Sequence, residues 1–301
     1  MAVSSYWLII FAAIFYGTIT VGSQFFTDLG LSAYEISVFQ VGMISLTLLP
    51  FVLSHREYFP RKESWPFFLV YGLIGAFTHF TQYGSVVLGV PVAVVAFLLY
   101  SQPLWTTLLG RLVFKETVTV TKLTAAVIAT AGVAILVKPW DSVGAGPVLG
   151  VIFGLLGGLG LSLWIIFGRK GGLDKQHFTT ATFGYTGFSA IWLLLLLLPV
   201  TGLMPEQANL TRLSFHWPLT TWILLFFYAL ISGVIPHALF YKGIRKVQSS
   251  TAGILLLLEP VSATLLAAAI FRQPIGLNIL FGGLLILLAN GLILRDNRSR
   301  N

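Results

Sequence analysis

Glu259 lies near the middle of the apolar run 249–271. The other carboxylates, Glu35 and Glu116 among them, fall in polar stretches or at the ends of apolar runs. A charge held in hydrocarbon costs roughly 3 kcal/mol, so such a residue needs a purpose. It can bind a substrate ammonium, carry a proton, or belong to the polar patch that Pro260 creates by removing a backbone donor. Two further groups recur with the same spacing: Gly75-x3-His79-x3-Tyr83 and Gly233-x3-His237-x3-Tyr241. Four residues apart on a helix, each imidazole and its phenol share one face. Tyr100, just before Gln102-Pro103, and Trp164 supply flat apolar surface with one polar handle, which suits an aromatic or amphipathic guest. The substrate-binding set read from these patterns is His79, Tyr83, Tyr100, Gln102, Trp164, His237, Tyr241 and Glu259. Each has a packing reading beside the binding one. Interhelical hydrogen bonds contribute only about 0.6 kcal/mol on average, and Tyr241 beside Lys242 also fits an interfacial aromatic.

Catalytic patterns are absent. The chain has no cysteine, no His-Glu-x2-His zinc spacing and no glycine-rich phosphate loop. Ser162 with His237 is the one nucleophile-base pair to consider. The stretch Gly160-Leu161-Ser162-Leu163 lacks the second glycine of a strained nucleophile turn, and no buried acid accompanies the histidine. No enzyme, metal or cofactor is therefore expected.

The elements that position these residues are apolar helices. Hydrophobic residues make up 56% of the 301-residue chain, charged residues 9%, and mean hydropathy is +0.89. Soluble domains carry about 25% charged residues. Lipid is thus the expected solvent for most of this surface. Apolar runs at 6–26, 32–54, 65–88, 92–111, 119–138, 147–168, 179–199, 218–243, 249–271 and 275–294 predict ten transmembrane helices. The net charge of +8 is scattered between these runs, unlike a nucleic-acid-binding face. With both termini and the even loops on one side, that side holds 15 of the 18 Lys and Arg. The positive-inside rule makes it cytoplasmic.

The chain also matches itself. Beyond the paired Gly-His-Tyr groups, a register of 157 aligns Ala96 with Gly253, Gln102-Pro103 with Glu259-Pro260, Phe114-Lys115 with Phe271-Arg272, and Lys138 with Arg295. Because Gln102 occupies the position matching Glu259, the fold itself does not require a charge there. Five crossings per repeat invert the second copy. The fold class expected is all-α integral membrane, ten helices as two inverted five-helix repeats, 1–146 and 147–301. Repeats of this kind typify secondary transporters, with the substrate near the midplane.

Residues 92–137, with Gln102-Pro103, Gly110, Phe114-Lys115-Glu116 and Ala131-Gly132, resemble an EamA domain. Residues 249–294, with Leu258-Glu259-Pro260, resemble a second copy. Two such domains resemble the drug/metabolite transporter superfamily, with a pattern that looks closest to its aromatic amino acid exporters. Gln273 and Asn290 depart from the usual pattern. The resemblance implies a multi-pass carrier of the bacterial inner membrane, often an exporter. The expected cargo is amino acids or related small metabolites, moved by alternating access between the repeats, and the chain is expected to be a monomer. A quaternary-cation or multidrug exporter is the alternative, and it would require the Glu259 carboxylate.

Overall fold

The computed structural model describes residues 2–88, 90, 92–141, 148–173, 176–203, 212–272 and 275–298. Gly89, Pro91, most of the 139–146 break, Lys175, Gln273 and Arg300 lie outside these, as does the side chain of Tyr83. Among the described residues every regular element is helical. The first five crossings are α1 (Ala2–Asp28), α2 (Ala33–Ser54), α3 (Trp65–Val87), the split pair α4 (Val92–Leu99) and α5 (Gln102–Phe114), and α6 (Val120–Val137). The second five are α7 (Val148–Leu173), α8 (Phe178–Leu203), the split pair α9 (Leu219–Ala229) and α10 (Ile235–Gly243), the split pair α11 (Ser249–Leu255) and α12 (Leu258–Phe271), and α13 (Leu277–Arg298). Among the described residues, eight of these crossings are long and apolar enough to cross a membrane. The other two are α3, which carries His79 and Gln82, and the interrupted α4–α5 crossing.

Three crossings expected as continuous helices are interrupted, and proline accounts for the breaks. Pro103 and Pro260 offer no N–H to the carbonyls of Leu99 and Leu256 one turn earlier. The Glu259 N–H takes up the Leu256 carbonyl at 3.0 Å, which tightens the chain into a new helix start. Glu259 consequently lies in the first turn of α12, where the helix dipole favours a carboxylate. In the eighth crossing, Leu230–Val234 forms a π turn just before Pro236, closed by the Ile235 N–H on the Leu230 carbonyl. Such turns cluster at functional sites.

The repeat shows in the backbone. Lys115 leaves α5 at φ 54°, ψ 34°, and Arg272 leaves α12 at φ 54°, ψ 32°. These positions correspond in the register of 157, and the two interruptions correspond to within one residue. Lys138 also takes a left-handed turn at the end of α6, but its counterpart Arg295 continues inside α13, so the copies differ at their last helices.

The two ends of the bundle are held by different contacts. At the end bearing both termini, Gly243 packs on the Ser5 backbone, Thr180 Oγ1 donates to the Tyr58 carbonyl at 2.8 Å, and Thr119 Oγ1 lies 3.4 Å from Asp296. Glu116, in the loop after α5, accepts hydrogen bonds at this same end from the backbone of Ser249 and Ser250, which open α11. Phe271 and Arg272 end that ninth crossing at its far terminus. The corresponding loops of the two copies therefore sit at opposite ends, as inversion requires.

Candidate functional site

Five helices converge on an aromatic group in the middle of the bundle. Tyr16 comes from α1, Tyr71 from α3, Trp164 from α7, Tyr185 from α8, and His237, Phe240 and Tyr241 from α10. Trp164 stacks on Phe240 with ring centroids 4.2 Å apart and planes at 19°. Tyr16 stands edge-on to both Trp164 (5.8 Å, 81°) and His237 (5.4 Å, 87°). Tyr185 lies 5.8 Å from His237 and 4.6 Å from Tyr71. The group thus joins one repeat, through Tyr16 and Tyr71, to the other.

Its polar atoms have defined roles. Nδ1 of His237 lies 2.8 Å from the Gly233 carbonyl. A carbonyl only accepts, so Nδ1 carries the proton, and Nε2 of the neutral ring is left as an acceptor. The Tyr16 hydroxyl is buried with no hydrogen-bond partner among the described residues. Buried polar groups are nearly always satisfied, and a bound molecule is one way to do it. Glu259 is close enough to interact electrostatically with Tyr16 and Tyr100. The arrangement suits a flat ring bearing a hydrogen-bond donor.

Exposure grades along the bundle axis. Tyr71, Phe240 and Tyr241 form a floor toward the terminus-bearing end and are buried to 2% or less. There the Tyr71 hydroxyl donates to the Trp164 carbonyl at 3.0 Å and lies 2.9 Å from the Tyr241 hydroxyl. Tyr100, Glu259 and His79 are only partly buried.

The sequence-derived residues are thereby sorted. Trp164, His237 and Tyr241 belong to the aromatic group, with Glu259 and Tyr100 beside it. His79 lies one turn beyond Gly75, on a face that meets α8 at Tyr185 and Ser189. Gln102 lies elsewhere, in the packing of α5 against α7 and α11. Its amide nitrogen donates to Thr106 Oγ1 at 2.6 Å, and it fits because Gly253 has no side chain to oppose it. Ser162 Oγ donates to the Gln102 carbonyl at 2.8 Å. Its hydroxyl is committed to backbone carbonyls. Tyr16, Tyr71 and Tyr185 escaped the sequence reading. The signal applied to Trp164, a mid-span aromatic with a polar tip, holds for Tyr16, whereas Tyr71 and Tyr185 lie within about two turns of the starts of α3 and α8.

Carboxylates join the repeats at both ends. Glu116, with its side chain 2% exposed, pairs with Arg169 and accepts from Ser250 Oγ at 2.7 Å and the Ser249 N–H at 2.7 Å. Gly110 leaves the room it occupies. Arg169 also lies over the Phe114 ring at 4.5 Å. At the opposite end, Glu35 completes a capping box with Ser32 and accepts from Arg212 at 3.3 Å and the Ser214 N–H at 2.8 Å.

Two inverted five-helix repeats, interrupted helices and an aromatic group shared between the copies define a polytopic membrane protein of transporter architecture. The EamA-like transporter family matches residues 3–138 and again 148–295, and the chain belongs to that family, within the drug/metabolite transporter superfamily. It is 25% identical over 281 residues to an uncharacterized transporter of Archaeoglobus fulgidus, covering 93% of this chain and 92% of that one. A shorter stretch of 82 residues, 24% of this chain and 25% of the relative, is 32% identical to the uncharacterized transporter YetK of Bacillus subtilis. A solved protein crystal structure shares the fold with a TM-score of 0.78 at 16% identity, covering 98% of this chain and 99% of that one.

Proposed function

We propose that this membrane transporter is a monomeric exporter of amino acids, aromatic ones favoured, and of related small metabolites. It would work by alternating access between repeats at 1–146 and 147–301, in a bacterial inner membrane with both termini cytoplasmic. The observation that carries this reading is the Tyr16–Trp164–His237 arrangement. Two aromatic rings and an imidazole meet edge-on around an orphaned hydroxyl and an available Nε2 acceptor. An aromatic side chain matches the walls, and an ammonium supplies the donor that Nε2 and Glu259 accept. The buried Tyr71–Tyr241 floor and the partly exposed Tyr100 and Glu259 support a site reached from the end opposite the termini.

The test is flux into liposomes carrying the purified protein, across a panel of amino acids. Selective movement of Phe, Tyr and Trp that Trp164→Ala or Tyr100→Ala abolishes supports the proposal. Wild-type selectivity in both variants overturns the choice of walls. The proximity of Glu259 to Tyr16 and Tyr100 also fits a carrier of quaternary cations, with a carboxylate beside aromatic faces. Glu259→Gln separates the two readings. A cation carrier loses transport, whereas an amino-acid carrier retains part of it through His237.

A further inference from the structure

On the outer surface of the bundle, the lipid-facing side of α13 and Ile128 of α6 line an open groove of about 520 Å³. The two helices touch closely on their inner sides, where Gly132 and Gly282 each face the other's carbonyl. Ile128 forms one wall, and Leu284, Leu288 and Leu292 form the other. A Cβ added at Gly291 would meet nothing within 4 Å, so the groove is open at that point. The lining is apolar except at one end, where Arg295 projects into it. Arg295 is exposed and makes no ion pair among the described residues. It lies in the last turn of α13, at the end of the bundle that carries most of the cationic side chains.

We propose that this groove is a binding site for one anionic phospholipid, with an acyl chain along the leucines and the phosphate at Arg295. The leucine surface lies where hydrocarbon chains are the surrounding solvent. A long cationic side chain at a helix end reaches the headgroup level. Basic pockets between helices on the cationic side of a membrane protein are known to select anionic headgroups. An apolar groove alone would take any lipid, or a second copy of this chain. The guanidinium at its end, without an ion pair among the described residues, makes the phospholipid the occupant and sets its charge.

The experiment is native mass spectrometry of the full chain, extracted from vesicles of equal phosphatidylglycerol and phosphatidylcholine. The wild type should retain one phosphatidylglycerol in preference to phosphatidylcholine. Arg295→Gln should reduce that preference about fivefold, equivalent to the ~1 kcal/mol that one basic residue contributes near an anionic surface. In Gly291→Phe the new ring leans toward the helix N-terminus, over Leu287 and Leu288, and should expel both lipids. Because open space receives the ring, an unchanged thermal midpoint is the expected folding control. Equal retention of the two lipids by the wild type would overturn the proposal, as would retention unaltered in both variants. A wild-type dimer that Gly291→Phe converts to monomer would overturn it too, by making a second copy the occupant.

Discussion

At the residue scale, the central feature is a set of polar tips left available among packed rings. The Tyr16 hydroxyl is the sharpest case, because removing it alone leaves the ring contacts with Trp164 and His237 in place. Tyr16→Phe should therefore preserve the thermal midpoint while weakening substrate binding about fivefold, the value of roughly 1 kcal/mol for one hydrogen bond. Ligand titration by tryptophan fluorescence measures this, and unchanged affinity would remove Tyr16 from the site. A second residue-scale effect lies outside the spans. His177 stacks on Tyr58 with centroids 4.2 Å apart. Burial first, then the nearby Arg245 and Lys242, hold its imidazole below the ordinary histidine range, against the weaker pull of Glu57. The unfolded chain binds this proton more readily, so stability rises with pH across the interval between the two values. The contribution is complete above about pH 6.5, the unperturbed value, and is lost as pH falls below it toward the folded value. Thermal melts between about pH 7.5 and 5.5 should show the decline, and His177→Asn should flatten it.

At the element scale, much of the helix pattern was legible in the sequence, while its interruptions were read only in part. The apolar runs coincide with helical segments to within a few residues, and among the described residues eight of those segments have the length and apolarity that hydrocarbon imposes. Pro260 signalled a freed carbonyl. That Glu259 would begin a new helix depended on how the chain re-routes its hydrogen bonds, which spacing does not encode. The π turn before His237 has the same character. Gln102 was grouped with the site because it mirrors Glu259, but its neighbours Thr106, Ser162 and Gly253 come from three helices whose packing only the fold determines. Glu116 was visible as part of a motif, whereas its partners, 53 and 133 residues away, were not. Replacing it with alanine should destabilise the chain by roughly 3–5 kcal/mol, because Arg169 is left largely buried without its counter-charge. Glu116→Gln, which keeps an acceptor for Ser249 and Ser250, should cost less. A thermal midpoint in Glu116→Ala equal to wild type would show that this junction does not hold the repeats together.

At the scale of the whole molecule, inversion of the copies gives the aromatic group its possible function. A site shared between antiparallel halves can be exposed to either side by rocking one half against the other. Two junctions oppose that motion in the structure, Glu116–Arg169 at one end and Glu35–Arg212 at the other. Tyr71 and Tyr241 add a floor at the first of these. In the proposed carrier, opening toward the termini would separate Glu116 from Ser249 and Ser250, whereas opening the other way would release Glu35 from Arg212 and Ser214. The self-match at a register of 157 made this architecture legible from one sequence. That self-match does not reach Tyr16 on α1 or Tyr185 on α8, and their place in the site follows only from the packing of those helices. The chain has no cysteine, so single cysteines report without background. Lys115→Cys and Arg272→Cys, each in sealed vesicles, give the most direct test with a membrane-impermeant thiol reagent. The two positions should label from opposite sides, Lys115→Cys from the side of the termini. Labelling of both from one side would contradict the inverted repeat, and with it the carrier mechanism built on that repeat.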